Sequence, residues 1–191
     1  KGKPALAVSA LISSSPTLLY FGQDVGEDGS EETGFGDPTR TSIFDYVGVP
    51  AHQRFMNEGK FDAGKSTEEE KELHNFYKDI MAIAATNPAI TGKYQSLHAL
   101  NLDVTDSAYS EHQFAFIRAK EDHGFVVVAN FSDKPTGLVK LTVPSEVLGD
   151  DNENITLKPL LSHEALALEK DGVNYKASFS MEGLETKVFA F

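Results

Sequence analysis

The alternation of apolar and polar residues after Gly92 constrains the fold of this chain more than any other feature. A period of two residues is typical of half-buried β-strands. Short stretches of this kind, separated by turn-forming residues, occupy positions 96–103, 112–119, 124–130, 137–143, 154–161, 165–168, 173–179 and 185–191. The turns at 121–124 and 169–172 predict tight hairpins. Because no helical pattern interrupts the strands, the sequence predicts an antiparallel β-sandwich.

Two helices are predicted before this region. The first covers residues 4–13, which are rich in alanine, with Pro4 suited to a first helical turn. The second begins at Ser66, which forms a predicted capping box with Glu69, and ends near residue 86 before Asn87-Pro88. Its apolar residues recur at helical spacing, at Leu73, Phe76, Tyr77, Ile80, Ile83 and Ala84.

Between the two helices lie a predicted buried strand, residues 18–21, and a long polar loop over residues 24–64. Gly22 and Gly26 are expected to serve the backbone conformation there. Asp24 and Glu27 could order the cleft at the end of the strand, but accepting backbone N–H groups of the loop is the favoured role. His74 has no second histidine at metal-binding spacing, so we expect it to lie at the surface or to pack.

Composition excludes several classes of function. The formal net charge of −12 argues against nucleic acid or an anionic membrane as a partner. The absence of cysteine excludes disulfides and thiolate metal sites. No apolar run approaches the roughly 18 residues of a membrane span. The chain has 191 residues, which is shorter than a complete eight-stranded barrel of about 250 residues.

Several segments resemble the α-amylase family of glycoside hydrolases. Residues 18–27, which read LLYFGQDVGE, resemble the end of the eighth barrel strand in that family. Residues 42–46 and 49–57 resemble the loop that follows this strand in bacterial members, and residues 114–118 and 126–132 resemble the family's C-terminal β domain. The matching segments occur in the family's order and cover nearly the whole chain.

The resemblance implies an α+β fragment. Residues 1–92 would supply the last strand and helices of a TIM-type (β/α)8 barrel, and residues 93–191 the antiparallel β-sandwich. The family's three catalytic acids lie on the fourth, fifth and seventh barrel strands, which would precede Lys1. We therefore assign no catalytic residue in this chain and expect the isolated fragment to be inactive. Lys1 is not an initiator methionine, so an excised or processed piece is expected.

The resemblance also implies a substrate and partners. Asp37 and Arg40 resemble the acid and arginine of related enzymes that contact sugar hydroxyls, and a structural Asp–Arg pair is the alternative. The implied ligand is an α-glucan or maltooligosaccharide. No metal or other cofactor is assigned, since the family's usual calcium ligands would come from upstream segments. The fragment is expected to bind the upstream part of its own barrel or to associate with itself, because residues 18–21 lack partner strands.

Two other functions remain open from the sequence. A non-catalytic carbohydrate-binding module would explain the β-sandwich, although it has no use for a buried strand flanked by two amphipathic helices. A related α-glucosyl transferase would use the same scaffold and the same carboxylates for a different reaction. The leading interpretation is the C-terminal part of a retaining α-glucan-active glycoside hydrolase.

Overall fold

The structure is a computed structural model that describes residues 2–27, 49–148 and 152–191. Its helices are α1 (Gly2–Leu11), α2 (Pro50–Met56), α3 (Glu68–Thr86), α4 (His98–Leu102) and α5 (Ser145–Leu148). Its strands are β1 (Lys93–Ser96), β2 (Gln113–Lys120), β3 (His123–Asn130), β4 (Val139–Pro144), β5 (Asn154–Pro159), β6 (Leu166–Asp171), β7 (Asn174–Phe179) and β8 (Thr186–Ala190). The chain divides into two compact units, one formed by the residues up to Pro16 together with Asp79–Phe191, the other by Thr17–Lys78.

In the larger unit the eight strands are hydrogen-bonded in the order β1-β2-β3-β8-β5-β6-β7-β4. Every pairing is antiparallel, as the alternating pattern predicts. Strand β5 serves two neighbours, because its first residues pair with β6 whereas Lys158 and Pro159 pair with β8. One strand thereby joins the two halves of the sheet.

The two halves share one hydrophobic core. Its members come from the strands on both sides of β5 and include Ala115, Ile117, Val126, Val128, Leu141, Val143, Leu157, Leu168, Tyr175 and Phe189. The alternating residues that face this core are almost completely buried. The predicted antiparallel β-structure is therefore confirmed, and the eight strands form one sheet that is continuous through β5.

Both predicted hairpins are present. Lys120 pairs with His123 across a two-residue turn, and Asp171 pairs with Asn174 in the same way. The second turn begins at Gly172, whose φ of +64° favours glycine.

Helix α1 covers the other face of the sheet in the same unit. It confirms the helix predicted over 4–13, and its buried residues Leu6, Ala7, Ala10 and Leu11 form the face that packs against β3 and β8. Burial of this small apolar stripe stabilises a helix that would be marginal in isolation.

Arg118 of β2 binds the ends of two helical segments. Its guanidinium donates to the carbonyl oxygens of Ile12 at 2.6 Å, Gly92 at 2.7 Å and Ala89 at 3.3 Å. Ile12 follows α1, Ala89 belongs to the short 3-10 turn after α3, Pro88–Thr91, and Gly92 follows that turn. The side chain is 6% exposed, and burial lowers its pKa. A buried cation thus satisfies carbonyl groups that the helix ends leave without partners.

The surroundings of His163 predict a pH-dependent contribution to the stability of the β domain. Its Nε2 accepts the backbone N–H of Val188 at 3.1 Å, and its ring lies 4.5 Å from that of Phe189 between centroids. Burial lowers the pKa of His163 below its ordinary value near 6.5. The unfolded chain then binds more protons, so this contribution to stability is complete above pH 6.5 and is lost as pH falls through the lower, folded-state pKa.

We expect His163→Gln to flatten this part of the stability profile, since glutamine keeps an acceptor and a donor but does not titrate. Urea unfolding at pH 7.5 and at steps down to pH 5 measures the effect. A variant that loses as much stability as the parent over this range would show that His163 does not cause the pH dependence.

Two strand predictions are wrong. Residues 96–103 form the end of β1 and then α4, in which Asn101 is buried and pairs with the backbone of Thr142 on β4. Residues 18–21 form no strand, and Leu18 is 90% exposed. Within the described residues nothing pairs with this segment, because the neighbouring strands of a barrel are not formed there. The last strand of the predicted barrel is therefore not observed.

Candidate functional site

Asp37 and Arg40, the predicted sugar-binding residues, lie outside the described residues. The structure does describe both flanks of their segment, up to Glu27 on one side and from Val49 on the other. These flanks belong to the smaller unit, Thr17–Lys78. Their contacts define the candidate site.

The first flank ends in a turn that contains two glycines with left-handed backbone conformation. Gly22 and Gly26 have φ values of +79° and +72°, and the N–H of Glu27 donates to the carbonyl of Gly22 at 2.9 Å. A Cβ on Gly22 would lie 3.0 Å from the Cβ of Glu27. The predicted role of these glycines in backbone conformation is confirmed.

Glu27 joins the two flanks. Its carboxylate accepts the backbone N–H of His52 at 3.0 Å, which confirms the favoured role for this residue. His52 lies in α2, which begins at Pro50 immediately after the second flank. The prediction of one loop over residues 24–64 is therefore wrong at α2. Pro50 is the signal that was missed, since a proline at the first helical position is pre-organised for a helix start.

Asp24 binds a side chain instead of the backbone. Its carboxylate lies 2.8 Å from Nδ1 of His74 on α3, and the ring of Phe55 packs on His74 with centroids 4.6 Å apart. Beside this pair, the amide of Gln23 donates to the hydroxyl of Tyr77 at 3.1 Å. His74 therefore packs, as the sequence predicts, and within the described part of the chain it belongs to no group of metal-binding side chains.

Arg54 and Glu70 attach α2 to α3. The Arg54 Nε donates to both carboxylate oxygens of Glu70, at 3.0 and 3.2 Å, and Nη2 donates to one of them. The hydrogen bond from Arg54 is the main cause of the lowered pKa of Glu70. The two residues are 16 positions apart, so no helical spacing reveals the pair.

Glu70 also corrects the predicted helix cap. The capping box is formed by Thr67 and Glu70, one position later than the predicted Ser66 and Glu69. The N–H of Thr67 donates to Glu70 at 2.9 Å, and the N–H of Glu70 donates to the Thr67 hydroxyl at 3.2 Å. The Glu70 carboxylate thus caps the start of α3 and also binds Arg54 of α2.

Among the comparisons with known proteins, the comparison of structures found proteins similar to this chain. No family model matches the sequence, and no curated protein matches it. An AmyP structure in complex with maltotriose matches 99% of this chain and 34% of its own, with 17% identity and a TM-score of 0.61. An α-amylase from Anoxybacillus matches 99% of this chain and 31% of its own, with 15% identity and a TM-score of 0.57.

The chain has the fold of a segment of α-amylase-family enzymes. Isomaltulose synthase from Klebsiella sp. LX3 also matches, over 99% of this chain and 38% of its own, with 16% identity and a TM-score of 0.52. The chain spans about a third of the length of the enzymes it matches. The β domain corresponds to the C-terminal β domain of these amylases.

Within the described residues, the carboxylates of the candidate site hold segments of the smaller unit together. Asp24, Glu27 and Glu70 each accept a hydrogen bond from within the smaller unit. The arrangement therefore holds the two flanks of residues 28–48 on α2 and α3.

Proposed function

We propose that the chain is the C-terminal portion of a retaining α-glucan-active glycoside hydrolase. Residues 1–92 would complete the catalytic barrel, residues 93–191 would form the β domain, and the catalytic carboxylates would lie in a part of the enzyme outside this chain. The observation that carries the proposal is the structural match over 99% of the chain to an AmyP structure in complex with maltotriose. A second AmyP structure, in complex with maltose, matches with a TM-score of 0.59.

Asp37 and Arg40 are proposed to bind sugar hydroxyls. A carboxylate accepts hydroxyl protons, and a guanidinium offers a rigid fork of donors. The hydrogen bond from the His52 N–H to the Glu27 carboxylate supports this role, because it joins the two flanks of the segment that carries Asp37 and Arg40.

The proposed partner of residues 18–21 is the rest of the barrel. Leu18 is 90% exposed, Phe21 is 41% exposed and Tyr20 is 37% exposed. Exposed apolar side chains favour burial against another surface, which the rest of the barrel would supply. Self-association of the chain through the same segment is the alternative partner.

Activity of the whole enzyme tests this function. We expect Asp37→Ala and Arg40→Ala each to lower kcat/KM for maltooligosaccharide hydrolysis about tenfold to a hundredfold, since a hydrogen bond to a charged group contributes about 1.5–3 kcal/mol. The matched controls, Asp79→Ala and Lys78→Ala, change exposed charged residues on α3 and should stay within about twofold of the parent. Unchanged kcat/KM in both loop variants would refute the proposed contact with sugar.

A transferase is the second candidate function, and the structural match to isomaltulose synthase supports it. The two reactions share a scaffold, so the fold does not separate them. Product analysis of the whole enzyme does so, because hydrolysis releases reducing ends whereas transfer yields a new glycosidic bond.

A further inference from the structure

Strand β4 lies at one end of the sheet order, and among the described strands it pairs with β7 alone. In an antiparallel pair, the N–H and C=O groups of alternate residues point away from the partner strand. On β4 these outward groups belong to Lys140 and Thr142, since both bond to residues outside the sheet. An unprotected edge of this kind can pair with a strand of another molecule.

Two side chains occupy this edge where a further strand would lie. Asn101 of α4 accepts the N–H of Thr142 at 2.7 Å and donates to the carbonyl of Thr142 at 3.0 Å. The hydroxyl of Ser107 accepts the N–H of Lys140 at 2.9 Å and donates to the carbonyl of Lys140 at 3.4 Å. Each side chain therefore bonds both backbone groups of one outward-facing residue.

The edge is also closed on either side of these two residues. The backbone N–H of Ala108 donates to the carbonyl of Leu138 at 2.8 Å. At the other end, the next outward position is Pro144, which has no N–H to donate. Proline at the edge of a sheet is one of the features that oppose strand pairing. The protected edge thus extends over alternate residues from 138 to 144.

The segment that carries these contacts is fastened to the opposite part of the sheet. The N–H of Leu97 donates to the carbonyl of Ala115 on β2 at 2.9 Å, and Asn101 donates to the carbonyl of Leu97 at 2.7 Å. Asn101 is completely buried, although asparagine is usually exposed. Helix α4 has five residues and would not be stable alone. Its position therefore depends on these contacts.

We propose that residues 97–108 form an edge cap that prevents β4 from pairing with β4 of a second copy of this chain. Two identical edge strands can pair in antiparallel orientation about a two-fold axis, and a second copy is present wherever the protein is synthesised. Without the edge cap, the backbone groups of Lys140 and Thr142 would be available for such pairing. The edge cap and β4 both lie in the larger unit, so this device is separate from residues 18–21.

The double variant Asn101→Leu with Ser107→Ala tests the edge cap. Leucine has a shape close to that of asparagine, but neither replacement can form the hydrogen bonds to β4. Sedimentation velocity of the full chain over a concentration series measures self-association. We expect the Kd for self-association to be at least about tenfold lower in the variant than in the parent.

Hydrogen exchange locates the surface that pairs. In the double variant at low protein concentration, the amides of Lys140 and Thr142 should exchange at least about tenfold faster than in the parent. At high concentration both amides should become protected again, because β4 of the second copy then accepts their hydrogens. Unchanged exchange would show that the two side chains do not cover the edge. Faster exchange without self-association would also overturn the proposal, since the uncovered edge would attract no second copy.

Asn130→Ala is the matched control for the loss of a buried asparagine. The side chain of Asn130 forms four hydrogen bonds, and none of them is to β4. Its removal should therefore leave the Kd for self-association within about twofold of that of the parent. Equal self-association of this control and the double variant would overturn the edge cap, because loss of stability would then explain both.

Ser107→Ala alone provides the test if circular dichroism shows that the double variant does not fold. This change removes one hydroxyl from a partly exposed position. We expect faster exchange at Lys140, unchanged exchange at Thr142 and a smaller decrease in the Kd for self-association. Exchange at Lys140 that matches the parent would overturn the proposal.

Discussion

Replacing Arg118 with methionine is expected to lower the free energy of unfolding by about 2–4 kcal/mol, because carbonyl acceptors lose their charged donor. Methionine fills a similar volume but cannot donate to the carbonyls of Ile12, Ala89 and Gly92. The carbonyl of Ala89 would then be buried without this donor, and those of Ile12 and Gly92 would lose it at half-buried positions. Urea unfolding followed by circular dichroism measures the loss, and α1 should detach first because the Ile12 carbonyl is beside its end.

Lys120→Ala is the matched control on the same strand. Lys120 is exposed and donates to the hydroxyl of Thr91 at 3.0 Å, so its removal should cost less than about 0.5 kcal/mol. Arg118→Lys keeps the charge but offers a single nitrogen, and we expect an intermediate loss. If Arg118→Met proves as stable as Lys120→Ala, the guanidinium does not hold these segments together.

Asn130→Ala is expected to cost about 2–4 kcal/mol. Asn130 is fully buried at the end of β3. Its amide nitrogen donates to the carbonyls of Lys134 at 3.0 Å and Glu182 at 2.9 Å. Its oxygen accepts the side chain of Gln113 at 2.8 Å and the N–H of Ser132 at 3.0 Å. Alanine would remove four hydrogen bonds and leave a small cavity.

Thermal and urea unfolding of Asn130→Ala measure this cost. The control is Asn154→Ala, since Asn154 is an exposed residue at the start of β5 and should change stability by less than about 0.5 kcal/mol. Equal stability of the two variants would contradict the role of Asn130 in joining the loops at this end of the sheet.

Strands β6 and β7 are predictable because buried and exposed residues alternate along them, whereas the central strands β2 and β3 are buried on both faces and are identified by their apolar, β-branched and aromatic residues. Each apolar residue of β2 that faces the core, such as Ala115 and Ile117, is separated from the next by a residue on the other face. The error at 96–103 has a long-range cause. The side chain of Asn101 forms two hydrogen bonds with the backbone of Thr142, as a neighbouring strand would. The two residues are 41 positions apart in the sequence. No local pattern indicates it.

The candidate site was less predictable than the fold. The glycine turn and the role of Glu27 follow from local chemistry, because glycine permits positive φ and a carboxylate accepts nearby N–H groups. The ion pair of Arg54 with Glu70 depends on how α2 meets α3. The cap shifted by one residue because Ser66 and Thr67 can both cap and are each followed by an acid three positions later. Asp37 and Arg40 rest on family resemblance alone and stay a prediction.

The position of β8 has a consequence for synthesis of the protein. Although it is the eighth strand along the chain, β8 lies between β3 and β5 and pairs with both of them. Its pairing with β3 joins Phe125 to Ala190, so the connection spans most of the domain's sequence. During translation the earlier hairpins can form as they emerge, but the sheet cannot close until residues 186–190 have left the ribosome. A nascent chain that stalls before that point exposes the edges of β3 and β5 to other chains.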